Sequence, residues 1–439
     1  MPSLRSLHAK PYRAFRDGLD LELRPLTLIY GPNNAGKSSI VRLLGIVHDS
    51  VGEGVKGPLD LSRTSGARFE DILSIQEREL RRLVLGLTWE DGLRSEWTMG
   101  TDGAGRLLLE QLRAESGTQL CWYGNARTPE HSRPERADVV EDLVTKGLVP
   151  EIGASSPPLL AELRARLVAL RGRVQYLSAV RTQLRPTATD PEVEPTLAVD
   201  GAGAQEYLLF DASVREEVQS WFRTEVKRDL RSERVGPNEQ RWLAPPVAAP
   251  ELSVPLVATG EGMTQLLPVL VALALRRSAE RPNGIGYYAL EEPTTHLHDD
   301  LQILLARHLA AIADEEDAPA LLLETHARPL LLGVQLAIRE RRVRPGRVLL
   351  YWVEQDDRGT STAARVEFDE DGLPTTSGLR TAFADEPALL RELSRPPTRP
   401  HGGGGTASRA GGGGTASRPA GGGGVGHVPG GSGGVGRRR

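Results

Sequence analysis

Cys121 is the only cysteine among 439 residues, so no intrachain disulfide can form, and a reducing, cytoplasmic compartment is expected. Long apolar runs are also missing. The best, residues 266–275, is half of the roughly 20 residues that cross a bilayer and stops at Arg276 and Arg277, which argues against a membrane protein. Arg5, Lys10, Arg13 and Arg16 are dispersed among polar residues rather than clustered before an apolar stretch, so no secretory signal is expected. Acidic residues are absent from 395–439, which holds seven arginines; with a net charge of -4 overall, the rest carries about -11. An acidic body has no general electrostatic footprint for nucleic acid, although a local basic groove is compatible with it. What is present, 39% apolar and 26% charged residues, fits a soluble globular chain of two or three subdomains and excludes a fibrous or wholly disordered one.

Periodicity changes along the chain. Residues 1–80 read as a short strand, an apolar strand at 26–30, a glycine-bearing loop and a helix over 36–48. Residues 81–125 alternate apolar runs with Asp91-Gly92 and Asp102-Gly103, the signature of antiparallel hairpins. A helical insert is expected over 126–255, with Leu and Val at helical spacing between 137 and 172 and Pro157-Pro158 opening its second helix. Residues 256–395 alternate strands (285–290, 319–324, 347–353) with helices (262–278, 297–314, 328–341), as in a parallel α/β sheet, and end on a helix at 385–394. The Gly/Arg-rich repeats of 396–439 cannot bury enough apolar surface to offset their ordering entropy, so a disordered tail is expected.

Four segments carry chemistry. Gly31-Pro32-Asn33-Asn34-Ala35-Gly36-Lys37-Ser38, followed by Ser39, is a phosphate loop between an expected strand and an expected helix. Its glycines let backbone N–H groups turn towards phosphate oxygens, the helix N-terminus adds a positive pole, Lys37 reaches the β and γ phosphates of ATP, and Ser38 ligates Mg2+. Glu291-Glu292-Pro293 closes a buried strand. In a P-loop ATPase the first carboxylate holds Mg2+, directly or through water, and the second polarises the attacking water as general base. His326, just past the apolar strand ending in Glu324-Thr325, is placed to sense the γ-phosphate; taken alone it reads more simply as a cap or core residue. Gly260, Gly262 and Thr264 open a helix whose N-terminus is a further candidate anion site, or an ordinary glycine-rich cap.

In that order the segments resemble the ABC-type ATPase heads of SMC, RecF and OLD-type proteins. The run 291–298, Glu-Glu-Pro-Thr-Thr-His-Leu-His, resembles their Walker B and D-loop segment, with Glu in place of the usual Asp at 291. Glu324-Thr325-His326 is similar to the Glu-Thr-His of a stand-alone bacterial branch of AAA-type ATPases without a Toprim nuclease, as are residues 174–181 and 368–386. The resemblance covers roughly 4–395 and is weak between 50 and 170. It implies an ABC-like head with a P-loop parallel sheet, an antiparallel β subdomain and a helical insert, binding ATP and Mg2+. It also implies a homodimer or higher even oligomer closed around ATP, in which the 260–264 signature meets the opposite nucleotide, and an effector protein as partner, in phage defence. The signature is not the Leu-Ser-Gly-Gly-Gln of transporters, and Gln175 and Gln183 are both candidates for the Q-loop.

The main alternative is the ATPase head of a DNA-processing complex, nuclease or repair. A nuclease of the OLD type needs a metal-holding Asp-x-Asp on a separate α/β unit. Asp369 and Asp371 supply the spacing, but an Asp-Gly pair between short strands reads more simply as a hairpin turn. Prolines interrupt the stretch between Lys37 and Gly260 too often for a long tethering coiled coil. A zinc site from His296, His298 and His326 has poor spacing without a further ligand.

Overall fold

Five short apolar segments, buried on both faces, line up in parallel and set the frame of the molecule. In a computed structural model, which describes residues 2–64, 66–74, 81–125, 128, 132–189, 196–278 and 284–376, these are β1 (Leu26–Tyr30), β2 (Val174–Leu177), β3 (Tyr287–Glu291), β4 (Ala320–Thr325) and β5 (Val348–Gln355). With β6 (Ser361–Val366), a hairpin partner antiparallel to β5, they form a sheet in the order β2-β3-β4-β1-β5-β6. The register sets Glu291 beside Glu324, and Glu324 beside Ile29 at the end of β1. The carboxyl ends of three strands therefore meet where the phosphate loop leaves β1, the edge at which open α/β sheets place their ligands.

The period-2 alternation of these strands divides the interior into two cores. Leu28, Leu323 and Leu350 face one side, which is covered by α2 (Glu261–Ala274), α3 (Asp299–Ala313) and α4 (Arg328–Arg339). Ile29, Leu322 and Leu349 face the other, where α1 (Lys37–Val51) is buried against a second sheet. That sheet orders Leu19–Glu22, Leu4–Lys10, Arg82–Trp89, Arg94–Thr101, Leu107–Ser116, Gln119–Gly124 and Asp138–Val139, all antiparallel except the last pair. The antiparallel subdomain thus recruits two strands that precede the phosphate loop. Its Asp91-Gly92 turn has the expected left-handed glycine, whereas after Asp102 the positive φ falls on Gly105, because the Asp102 carboxylate accepts from the amides of Ala104 and Arg106.

The stretch read as a helical insert differs from expectation in two places. Between 137 and 172 there is a single helix, Pro158–Val168, with three two-residue strands before it. Val174–Leu177 is the edge strand β2 of the central sheet, held parallel to β3. Helices Ala204–Phe210 and Ala212–Trp221 follow, with a small sheet of Ala188–Thr189, Arg231–Arg234 and Glu239–Leu243. Asp369-Glu370-Asp371-Gly372 is a turn: Gly372 has a φ of 72°, its amide donates to the Asp369 carbonyl, and the Asp369 carboxylate accepts from the amides of Asp371 and Leu373. The helix expected at 385–394 and the tail 396–439 lie outside the described residues. Among the described residues no helix is long and apolar enough to cross a membrane.

Candidate active site

The loop leaves β1 through Gly31, at a φ of 156° and so close to β5 that a Cβ there would lie 2.2 Å from the Val353 carbonyl oxygen. Any side chain would push the loop off the sheet. Asn34 and Gly36 both adopt left-handed φ, 64° and 97°, and Gly36 caps α1. Ala35 is buried, and Asn33 sits on the exposed rim. The main chain therefore coils over the first turn of α1, whose amides and dipole form an anion cradle. Lys37 is buried and donates to the Pro32 carbonyl across the loop at 2.9 Å. The Ser39 carbonyl accepts the Tyr12 hydroxyl at 2.8 Å, tying the cradle to the second sheet; burial pushes the Tyr12 phenol up to about 12.

A cavity of about 580 Å³ opens beside the cradle, lined on its positive side by Lys37, Arg13, Arg42 and Arg358. Its acidic members are Asp71 and Glu324. Four cations around a glycine-rich loop suit a polyphosphate far better than an uncharged ligand.

Across the cradle stands a wall of carboxylates from the ends of β3 and β4. Glu291, only 2% exposed, accepts from Arg42 Nε at 2.7 Å and Arg42 Nη2 at 3.1 Å. It also accepts from the Tyr176 hydroxyl at 2.8 Å and the Ala179 amide at 3.4 Å. That hydrogen bond to Glu291 raises the Arg42 guanidinium above its ordinary range, and burial, with Glu291 adding, raises the Tyr176 phenol. Glu292 turns away with a φ of 41°, unusual for a residue with a Cβ. Its carbonyl is held in that turn by the Thr295 amide, the Thr295 hydroxyl and Arg181. Its carboxylate points to β4, where Oε1 lies 2.6 Å from His326 Nδ1 and Oε2 lies 3.5 Å from the Thr325 hydroxyl. A carboxylate with a histidine on one oxygen is the arrangement of a base that passes a proton on.

Ser38 donates its hydroxyl to Glu324 Oε1 at 2.7 Å. Burial, with Glu291 and Glu292 adding their charge against the Ser38 hydrogen bond, holds the Glu324 carboxyl up at about 7.

Gly260, Gly262 and Thr264 do not line the cradle cavity. Gly260 is the N-cap of α2 with open space around it, and Thr264 donates to the Glu261 carbonyl at 2.8 Å. Gly262 packs on the loop after β3, where a Cβ would stand 2.6 Å from the His296 carbonyl oxygen. The signature and the D-loop segment therefore share one surface. His296, His298 and His326 each face a different carboxylate: Glu261, Asp300 and Glu292. Gln175 is fully buried and exchanges hydrogen bonds with the main chain of Leu197, and Gln183 is exposed; neither lines the cradle cavity.

Four residues of this site, Arg42, Tyr176, Arg181 and Glu324, have no role assigned by sequence reasoning. Arg42 had a readable signal, since it follows Ser38 by four residues and so shares its helix face.

No protein-family model matches the chain. Over 400 residues it is 25% identical to the OLD nuclease of Thermus scotoductus, across 88% of this chain and 71% of that one. Among solved structures it is similar to the SMC head domain from Thermotoga maritima, at 14% identity and a TM-score of 0.38, over 83% of this chain and 99% of that one. It is also similar to the recombination mediator protein RecF, at 10% identity and a TM-score of 0.36, over 82% and 98%. The long alignment to the OLD nuclease thus accompanies a phosphate loop between β1 and α1 and a wall of carboxylates at the ends of β3 and β4, and the chain is similar to the ABC/SMC/RecF/OLD-like class of P-loop proteins.

Proposed function

We propose that ATP lies along the cradle with its phosphates against the amides of 31–39 and Lys37, and that Glu292 takes the proton of the attacking water. The observation that carries this reading is the Glu292–His326 pair at 2.6 Å, at the ends of the paired strands β3 and β4, the second of which adjoins the strand that feeds the loop. Asn33, Asn34 and Gly36 shape the cradle, and the Ser38 hydroxyl with a carboxylate at the strand ends is the set suited to Mg2+. The cation would supply charge neutralisation at the phosphates.

Catalysis by this chain's own residues then divides simply. Lys37 balances the phosphate charge, Glu292 orients and deprotonates water, and His326 steadies the Glu292 carboxylate and reports on the phosphate beyond it. Replacing Lys37 with alanine removes a buried cation from the loop. Calorimetry should find ATP binding lost while the fold is retained, and tight binding by Lys37→Ala would overturn the assignment.

We further propose that two heads close around ATP, with Gly260, Gly262 and Thr264 of one copy facing the nucleotide of the other. The support is geometric. The α2 N-terminus is open at Gly260, does not line its own chain's cradle, and packs through Gly262 on the D-loop segment. Such a cycle, giving a dimer or higher even oligomer with ATP and release on hydrolysis, suits control of an effector protein, including in phage defence. The second reading is the head of a nuclease or repair complex acting on nucleic acid. It is favoured by the 400-residue alignment to an OLD nuclease. Light scattering with and without ATP tests the closure. Isolation of the ATP-bound form from cells separates the readings: a co-purifying protein supports the first and co-purifying nucleic acid the second.

A further inference from the structure

We propose that Ser38 and Glu324 form the protein's half of the Mg2+ site, and that Glu291 is instead the fixed anion locking α1 and β2 to the end of β3. This rests on the ATP reading of the cradle and deepens it.

Four observations carry it. First, Glu291 is spent: both of its oxygens accept from Arg42, and Tyr176 and the Ala179 amide take further lone pairs. Recruiting it to a cation would strand the Arg42 guanidinium. Second, Glu291 does not line the cradle cavity, whereas Glu324 does, along with Lys37 and Ser38. Third, Glu324 is 5% exposed and its Oε2 is buried without a hydrogen-bond partner. A buried carboxylate oxygen left without a donor costs free energy, and a cation bound there would offset that cost. Fourth, the Ser38 hydroxyl donates to the other oxygen, Oε1, at 2.7 Å. A serine whose proton is turned onto a carboxylate has its lone pairs free for a cation.

The donor set fits the ion. Mg2+ takes hard oxygen ligands and retains waters, so one hydroxyl, one carboxylate and the phosphates of a bound nucleotide suffice without an all-protein cage. Neighbouring strands explain how the role can move. Glu291 and Glu324 are register partners on β3 and β4, and β4 lies directly beside β1. A carboxylate on β4 is therefore one strand nearer to the loop.

Mn2+ as a stand-in for Mg2+ gives a test independent of turnover. Its free-ion EPR signal is followed during titration into the full chain with a non-hydrolysable ATP analogue, and a fluorescent version of the analogue in EDTA reports metal-free nucleotide binding. Glu324→Gln should weaken Mn2+ binding by about 10- to 100-fold while metal-free nucleotide binding survives. Glu324→Asp, which keeps the charge, should lose less. Glu291→Gln should keep its Mn2+ affinity but melt earlier, since Arg42 loses its counter-charge. Loss of Mn2+ by Glu291→Gln with none in Glu324→Gln overturns the proposal, as does an equal loss of metal-free nucleotide in Glu324→Gln. In either case the phosphate-loop reading stands. If the wild-type chain binds no analogue with or without metal, both fall together.

Discussion

His326 Nδ1 lies 2.6 Å from Glu292 Oε1, although 34 residues separate them, because β3 and β4 are neighbours and each ends at the same edge of the sheet. The imidazole fixes which way the carboxylate faces. His326→Ala should therefore lower kcat about 100-fold with nucleotide affinity nearly unchanged. Steady-state phosphate release alongside calorimetric binding checks this; unaltered kcat would remove His326 from the site.

Arg181 is buried, and its Nη2 donates to the carbonyls of both Glu291 (2.7 Å) and Glu292 (3.0 Å). Burial pulls its pKa down to about 10, opposed by the charges of Glu292 and Glu291. It acts as a positioning residue that keeps Glu292 in its left-handed turn. Arg181→Lys replaces a planar fork with a single ammonium, so kcat should fall about tenfold or more while KM holds. A purely structural role would instead lower Tm and leave kcat untouched well below it.

His308, on α3, packs against Trp221 with ring centroids 6.3 Å apart, near Glu217, Arg276, Arg277 and Glu315. Burial, reinforced by Arg276, pushes its pKa down to about 4. In the unfolded chain it titrates near 6.5, so between about 6.5 and about 4 the unfolded state binds more protons. Stability should accordingly fall as pH drops through that window, with a slope of up to about 1.4 kcal/mol per pH unit from this residue. Denaturant midpoints should show a shallower pH dependence in His308→Gln below about pH 6.5 and an unchanged one above it. Parallel profiles across the window would contradict the assignment.

How much of this was legible in the sequence depends on range. The loop 31–39 was readable because strand, glycines, lysine and helix are contiguous, and β3, β4 and β5 were readable as apolar runs with charged ends. Edge strand β2 was not: Val-Gln-Tyr-Leu is too short to separate from the helical spacing before it, and its pairing partner lies more than a hundred residues away. The same limit hid the wall. That Arg42 and Tyr176 claim Glu291, and that Ser38 faces Glu324, follows from strand order rather than from any local pattern. The helix opened by Pro157-Pro158 is found as Pro158–Val168, but the one expected before it is not, because Leu and Val there serve short paired strands such as Val149–Pro150.

Single-turnover hydrolysis by Glu292→Gln tests the central claim most directly. Glutamine preserves the shape beside His326 and Thr325 but cannot accept the proton of water. With Mg2+ and ATP bound to the variant at wild-type occupancy, the account predicts that phosphate formation falls about 100-fold or more and that intact ATP is recovered from the protein. Phosphate formed at the wild-type rate would contradict it.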